Sequence, residues 1–288
     1  MNRLHRFTRP VYRVFLTCTL LATPLFAQTF STLYSFDGVD NNAPDSALIQ
    51  ATDGNLYGTT VYGGPAGQGS VYKITPGGTL TTLYNFCSLS GCPDGAQPLA
   101  PVVQGFDGNL YGTTYYGGGS SACNSGCGTV FKITAGGILT TLHSFAPGDG
   151  TQPQGGLTLA ADGDFYGATL YGTLYKITPG GTFTVLHTFT NGDDGSMPYS
   201  SPIQASDGNF YGVTYDGGTW GNGVVYRLHG TTLTTLYSFC SVGGCADGAY
   251  PLGALVQAAD GKLYGTTALG GNTGCDLGYG CGTVFSIT

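Results

Sequence analysis

An eight-residue phrase, Asp-Gly-Asn-Leu-Tyr-Gly-Thr-Thr at 53–60, recurs at 107–114 and, with small changes, at 162–169, 207–214 and 260–267, at spacings of 54, 55, 45 and 53. After each copy come a Gly-rich loop and a run like Val-Tyr-Lys-Ile-Thr (71–75, 130–134, 174–178, 225–229, 284–288). Runs like Leu-Tyr-Ser-Phe (33–36, 83–86, 142–145, 186–189, 236–239) separate the units. A period near fifty means that one small unit, unable to bury its apolar face alone, is stacked on copies of itself.

Each unit holds four short β-type segments bounded by turn residues. In the first they are 47–52, 56–62, 71–75 and 79–86, named A, B, C and D. Asp53-Gly54-Asn55 reads as a tight hairpin turn between A and B, because glycine accepts positive φ and the aspartate side chain caps the turn. Pro76-Gly77-Gly78 does the same between C and D. Gly58, Gly112, Gly167, Gly212 and Gly265 fall inside segment B, where a missing side chain signals close approach, with a neighbouring sheet face the natural candidate.

Four antiparallel strands per unit, stacked radially, predict an all-β fold, a five-bladed β-propeller. The chain begins its repeats with a D-type run (31–36) and stops at Thr288 on a C-type run. The N-terminal strand is therefore expected to join the C-terminal blade and close the ring. A Gly-rich β-solenoid is the structural alternative, but its coils are shorter.

The phrases Leu-Tyr-Gly-Thr-Thr, Gly-Thr-Val-Phe-Lys-Ile-Thr and Leu-Tyr-Ser-Phe resemble the Gloeo/Verruco (GloVer) tandem repeat of exported bacterial proteins, five times over the chain. The resemblance implies an exported repeat protein and brings no established catalytic residues. Many such proteins carry a C-terminal surface anchor, whereas this chain ends at Thr288 without an apolar tail. The Asp-Gly-Asn-Leu-Tyr pattern is also similar to that of virginiamycin B lyase and gluconolactonase-type propellers. Those use Glu or His, or a metal held by acids on inner strands. Here the inner A segments carry Gln50, Gln104, Gln204 and Gln257, with Leu159 in the third unit, and no acid. The glutamines are expected to line or plug the central channel.

Residues 1–13 carry four arginines and no acid, and 14–26 are mostly apolar, so 1–27 is expected to be a signal peptide and 28–288 one domain, secreted, periplasmic or at the cell surface. No later run is long enough to span a membrane. Without the leader, five basic residues face sixteen acids, all Asp, for a net charge of −11. Nucleic acid is thereby a poor partner, and a monomer is expected. Eight cysteines remain: Cys87, Cys92, Cys123 and Cys127 around the second unit, and Cys240, Cys245, Cys275 and Cys281 around the fifth. Each set of four permits three disulfide connectivities or a Cys₄ zinc site. Export favours disulfides, and local pairs are the preferred reading.

The A–B and C–D turns lie at one face, and the longer, cysteine-containing B–C and D–A loops at the other. Ten Asp fall in those loops, and Lys73, Lys132, Lys176, Arg227 and Lys262 lie towards the turns. Asp37, Asp40 and Asp45, or Asp193 and Asp194, offer hard oxygen ligands to Ca²⁺, although solvated charge is the leading expectation. Tyr57, Tyr111, Tyr166, Tyr211 and Tyr264 recur at one repeat position and read as packing between blades. Tyr116, Tyr215, Trp220, Tyr250 and Tyr279 fall near the loop face, where flat rings with a polar edge suit sugars or peptides.

His143 and His187 occupy a position held elsewhere by Tyr34, Tyr84 and Tyr237, and no Ser/His/Asp set or phosphate loop is visible. The expected function is non-enzymatic: binding of a glycan, peptide or protein through the acidic loop face. The alternatives are a cation-dependent lyase or hydrolase using loop Asp residues, and a structural envelope module without a ligand.

Overall fold

The computed structural model describes residues 29–38, 42–272, 274–275 and 280–288, and residues 33–288 form one compact unit. The expected signal segment, Asp40 and Tyr279 lie outside the described residues.

The repeats fold into five antiparallel sheets, as expected for a five-bladed β-propeller. Blade 1 comprises β1 (Ile49–Gln50), β2 (Leu56–Thr60), β3 (Ser70–Ile74) and β4 (Leu80–Asn85). Blade 2 comprises β5 (Val103–Gln104), β6 (Leu110–Thr114), β7 (Thr129–Ile133) and β8 (Leu139–Ser144). Blade 3 comprises β9 (Thr158–Leu159), β10 (Phe165–Ala168), β11 (Thr173–Ile177) and β12 (Phe183–Thr188). Blade 4 comprises β13 (Ile203–Gln204), β14 (Phe210–Thr214), β15 (Val224–His229) and β16 (Thr232–Ser238). Blade 5 comprises β17 (Val256–Gln257), β18 (Leu263–Thr267) and β19 (Thr283–Ile287). The A strands are only two residues long, because the Ala51 N–H already turns to the Asn55 carbonyl to close the hairpin. Gly54 takes φ +80° there, and Asp53 Oδ1 accepts the Asn55 N–H at 3.0 Å.

The glycine inside strand B is explained differently from the expectation. A Cβ on Gly58 would meet the Tyr72 hydroxyl at 2.6 Å, and one on Gly167 would meet the Tyr175 ring at 2.4 Å. The close neighbour is thus an aromatic side chain in the same sheet, not the face of an adjacent sheet. Gly58 and Tyr72 are cross-strand partners, as are Gly112 and Phe131, Gly167 and Tyr175, Gly212 and Tyr226, and Gly265 and Phe285. The C-strand ring occupies the space over the glycine, which a side chain there would prevent.

Those rings carry the core between blades. Phe86 of blade 1 meets Phe131 of blade 2 edge-on at 5.1 Å, and the contact repeats as Phe145–Tyr175, Phe189–Tyr226 and Phe239–Phe285. Val71, Val130, Leu174 and Val225 beside them are at most 1% exposed. Inner glutamines stitch one blade to the next at the turn end. Gln104 Oε1 accepts the Thr52 N–H of blade 1 at 2.9 Å while its Nε2 donates to the Gly108 carbonyl of its own turn. Gln204 and Gln257 accept likewise from Ala161 and Ser206.

The N-terminal run stands against blade 1 in the place of a preceding blade's D strand. Phe36 meets Tyr72 edge-on at 5.3 Å, and the Leu33 carbonyl lies over Gly78 as the Leu83 carbonyl lies over Gly137. Among the described residues, β19 has no fourth-strand partner, and Val284 is 79% exposed where its four counterparts are buried.

Candidate functional site

The two ends of the propeller are built from different chemistry. At the turn end, the B-strand tyrosine folds back on the turn aspartate: Tyr57, Tyr111, Tyr166, Tyr211 and Tyr264 donate to Asp53, Asp107, Asp162, Asp207 and Asp260 at 2.7–2.8 Å. The rings pack between blades as expected, Tyr111 on Phe165 and Tyr166 on Phe210. Lys132 and Lys176 pair with Asp107 and Asp164 at 3.7 and 2.9 Å. Hydrogen bonds from Asn55 and Tyr57 hold the Asp53 carboxyl below the usual range, and burial followed by the bond to Asp53 pushes Tyr57 up to about 12.

At the loop end, the D strand fastens its own outgoing loop. Tyr84 Oη donates to Asp94 Oδ2 at 2.9 Å, and Ser88 adds its N–H and hydroxyl; Tyr237, Asp247 and Ser241 repeat the arrangement. In blades 2 and 3 histidine replaces the tyrosine: His143 Nε2 donates to Asp149 at 2.8 Å and His187 Nε2 to Asp194 at 3.0 Å. His143 is also stacked on Phe183 at 3.7 Å. These latches, which the sequence reading missed, engage four of the loop acids in structure. For Asp194, burial works against ionisation, but bonds from Thr190 and His187 outweigh it and leave the carboxyl below its ordinary value.

Disulfides pin two of these loops and two B–C loops at the same end. Cys87–Cys92, Cys123–Cys127, Cys240–Cys245 and Cys275–Cys281 are the local pairs expected, and they fit an exported protein. Among the described residues no three His, Cys or Asp side chains are grouped to hold a metal ion, and no helix is long and apolar enough to cross a membrane. Asp37, Asp45 and Asp193 are exposed, and Thr219 Oγ1 reaches Asp193 at 3.4 Å.

One repeat position stands out at this end. Ala43, Gln97, Gln152, Met197 and Tyr250 all adopt left-handed backbone, with φ from 53° to 59°, and each precedes a proline. Left-handed φ is costly for non-glycine residues, so the surroundings must enforce it. They do: the Gln97 N–H is held by the Gln68 carbonyl of blade 1, and its carbonyl receives the Tyr115 N–H. The Tyr250 N–H is likewise held by the Asn222 carbonyl of blade 4. The following Pro98 packs on Gly69, and Pro251 on Gly223, across the same junctions. The signal was legible, since Xaa-Pro falls ten residues before every turn aspartate.

Between blades 1 and 2 this arrangement borders an open cleft of about 570 Å³ lined by Gln68, Gln97, Tyr116, Ser120, Ser121 and Ser125, with Cys92 and Cys123 at its walls. The structure thus places the predicted Tyr116 in a cleft, edge-on to Tyr115 at 4.6 Å. Tyr215 and Tyr250 come together 4.8 Å apart, with Tyr199 against Tyr215, and Trp220 is 56% exposed.

Several solved structures share the architecture at low identity. A luciferin-regenerating enzyme aligns at TM-score 0.56 and 13% identity over 87% of this chain and 78% of its own. An oligogalacturonate lyase from Vibrio parahaemolyticus aligns at 0.53 and 11% over 89% and 68%. The extracellular domain of a hybrid two-component system from B. thetaiotaomicron aligns at 0.51 and 10% over 78% of this chain, which spans 26% of that one. Such identities establish fold and nothing more. No match is found among curated proteins. The repeat itself is decisive: the Gloeobacter/Verrucomicrobia repeat matches residues 19–172 and again 169–288, and the chain belongs to that family.

Proposed function

We propose that this is an exported binding module that engages a ligand through its loop face. The observation that carries the reading is the set of five pre-proline residues. Their backbone geometry is the same in every blade, held in a conformation that costs free energy, while their side chains are of four kinds: Ala43, Gln97 and Gln152, Met197, and Tyr250. A rigid frame presenting variable side chains beside disulfide-pinned loops is how binding surfaces are mounted on a scaffold. At the opposite end the same turn chemistry is repeated five times and offers little to distinguish one ligand from another.

Printed glycan and peptide arrays probed with residues 28–288 test this. The expected result is a retained ligand whose signal is lost in the double variant Gln97→Ala/Tyr250→Ala and kept in Asp207→Asn at the turn end. No retained ligand, or equal loss in both variants, would refute the proposal.

A further inference from the structure

We infer that the cleft between blades 1 and 2 is a binding site for an uncharged oligosaccharide, with the Gln97 carboxamide as its specificity-determining contact; this rests on the loop-face reading above. The volume, about 570 Å³, lies within the range of small-ligand clefts. Its lining mixes polar and apolar surface and carries no charged side chain. Gln97 Nε2 and Gln68 Oε1 are 3.4 Å apart, a long contact that leaves most of the hydrogen-bonding capacity of both amides unused. Ser120, Ser121 and Ser125 add hydroxyls that both donate and accept, and the Tyr116 ring adds an apolar surface. Sugar hydroxyls require this mixture of donors and acceptors, and the C–H face of a pyranose suits an aromatic ring.

Two other ligand classes fit less well. An anion would find no Lys or Arg in the lining, and the domain carries five basic residues against sixteen acids, so its field repels negative charge. A peptide binding by strand addition needs free backbone groups. Here they are already used: Ala96 and Tyr116 exchange N–H and carbonyl bonds, Gln97 N–H goes to Gln68, and Tyr115 N–H goes to the Gln97 carbonyl. Cys87–Cys92 and Cys123–Cys127 fix the loops on either side, so little ordering remains to be done on binding.

Calorimetric titration of residues 28–288 with cellohexaose, laminarihexaose, mannohexaose and xylohexaose, alongside hexagalacturonate and a phage-displayed peptide library, tests the site. At least one neutral hexaose should bind with Kd of ~1 mM or tighter, and hexagalacturonate should not. Gln97→Ala should weaken binding about tenfold, and Asp207→Asn at the turn end should leave it unchanged. Gln97→Asn tolerates the left-handed backbone while withdrawing the amide by one methylene, so it should keep the melting temperature and still lose affinity. Preference for hexagalacturonate would overturn the inference. Neutral-sugar binding unaffected by both Gln97 variants would overturn the site but leave the loop-face reading standing. Peptides retained by the parent and lost in Tyr250→Ala, with the hexaoses silent, would overturn the sugar class alone. Silence of every probe would overturn both.

Discussion

At the turn end one aspartate in each blade accepts from the turn backbone and from a tyrosine four residues on. For Asp207 and Tyr211 both partners shift, in opposite senses. Burial opposes ionisation of Asp207, but bonds from Asn209 and Tyr211 outweigh it and lower its pKa. Its contribution to stability is therefore present above the ordinary carboxylate value, near ~3.9, and is lost as pH falls through the lower folded value. Tyr57 is raised to about 12, so its contribution is present below the ordinary value, near ~10, and is lost as pH rises through about 12. Melting temperature should be level between about pH 5 and pH 9 and fall beyond both limits. The acid slope should lessen in Asp207→Asn, and in an alkaline titration of tyrosinate absorbance Tyr57→Phe should remove amplitude from the fraction that ionises near about 12. An acid slope unchanged in Asp207→Asn would contradict the assignment. The packing role of these tyrosines was legible from their repetition. Their bond to the turn was not, because periodicity reports which residues are equivalent and not which of two equivalent sets touch.

Among the elements, strand B and strand C are matched so that glycine receives an aromatic ring, and the match leaves no room for a methyl group. Gly167→Ala should cost about 1–3 kcal/mol by overpacking against Tyr175. Calorimetry should register a fall of roughly 2–4 °C for each kcal/mol in a chain of this size. A change within error would show that the ring moves aside freely. The glycine was readable as a place of close approach, but its neighbour was misassigned. Pairing Gly58 with Tyr72 requires the B–C register, and the intervening loop varies in length from blade to blade. The latches escaped for the same reason: the partner aspartate lies six residues after His143, seven after His187 and ten after Tyr84 and Tyr237. Short-range chemistry on rigid turns showed through the sequence, whereas contacts closed by loops of changing length did not.

For the whole molecule, the number of blades could be counted directly from the repeats, whereas the N-terminal run was expected to join blade 5 and its packing on blade 1 was not foreseen. The contact of that run with blade 1 is less enclosed than the junction between blades 1 and 2. Phe86 is 0% exposed between blades 1 and 2, whereas Phe36 on Tyr72 is only partly covered. Phe86→Ala should cost about 3–5 kcal/mol, and Phe36→Ala roughly half as much, by denaturant unfolding. Equal losses would mean that Phe36 is as fully enclosed in solution as Phe86. Blade 5 ends on Val284, whose counterparts in blades 1 to 4 are sealed, and blade 1 begins with Leu48, 47% exposed where Val102 is 1%. Each terminal surface is one half of a junction that the chain already makes four times. The same edge-on contact serves at Phe36–Tyr72 and at the four junctions between blades, so each repeat unit carries its own interface with it.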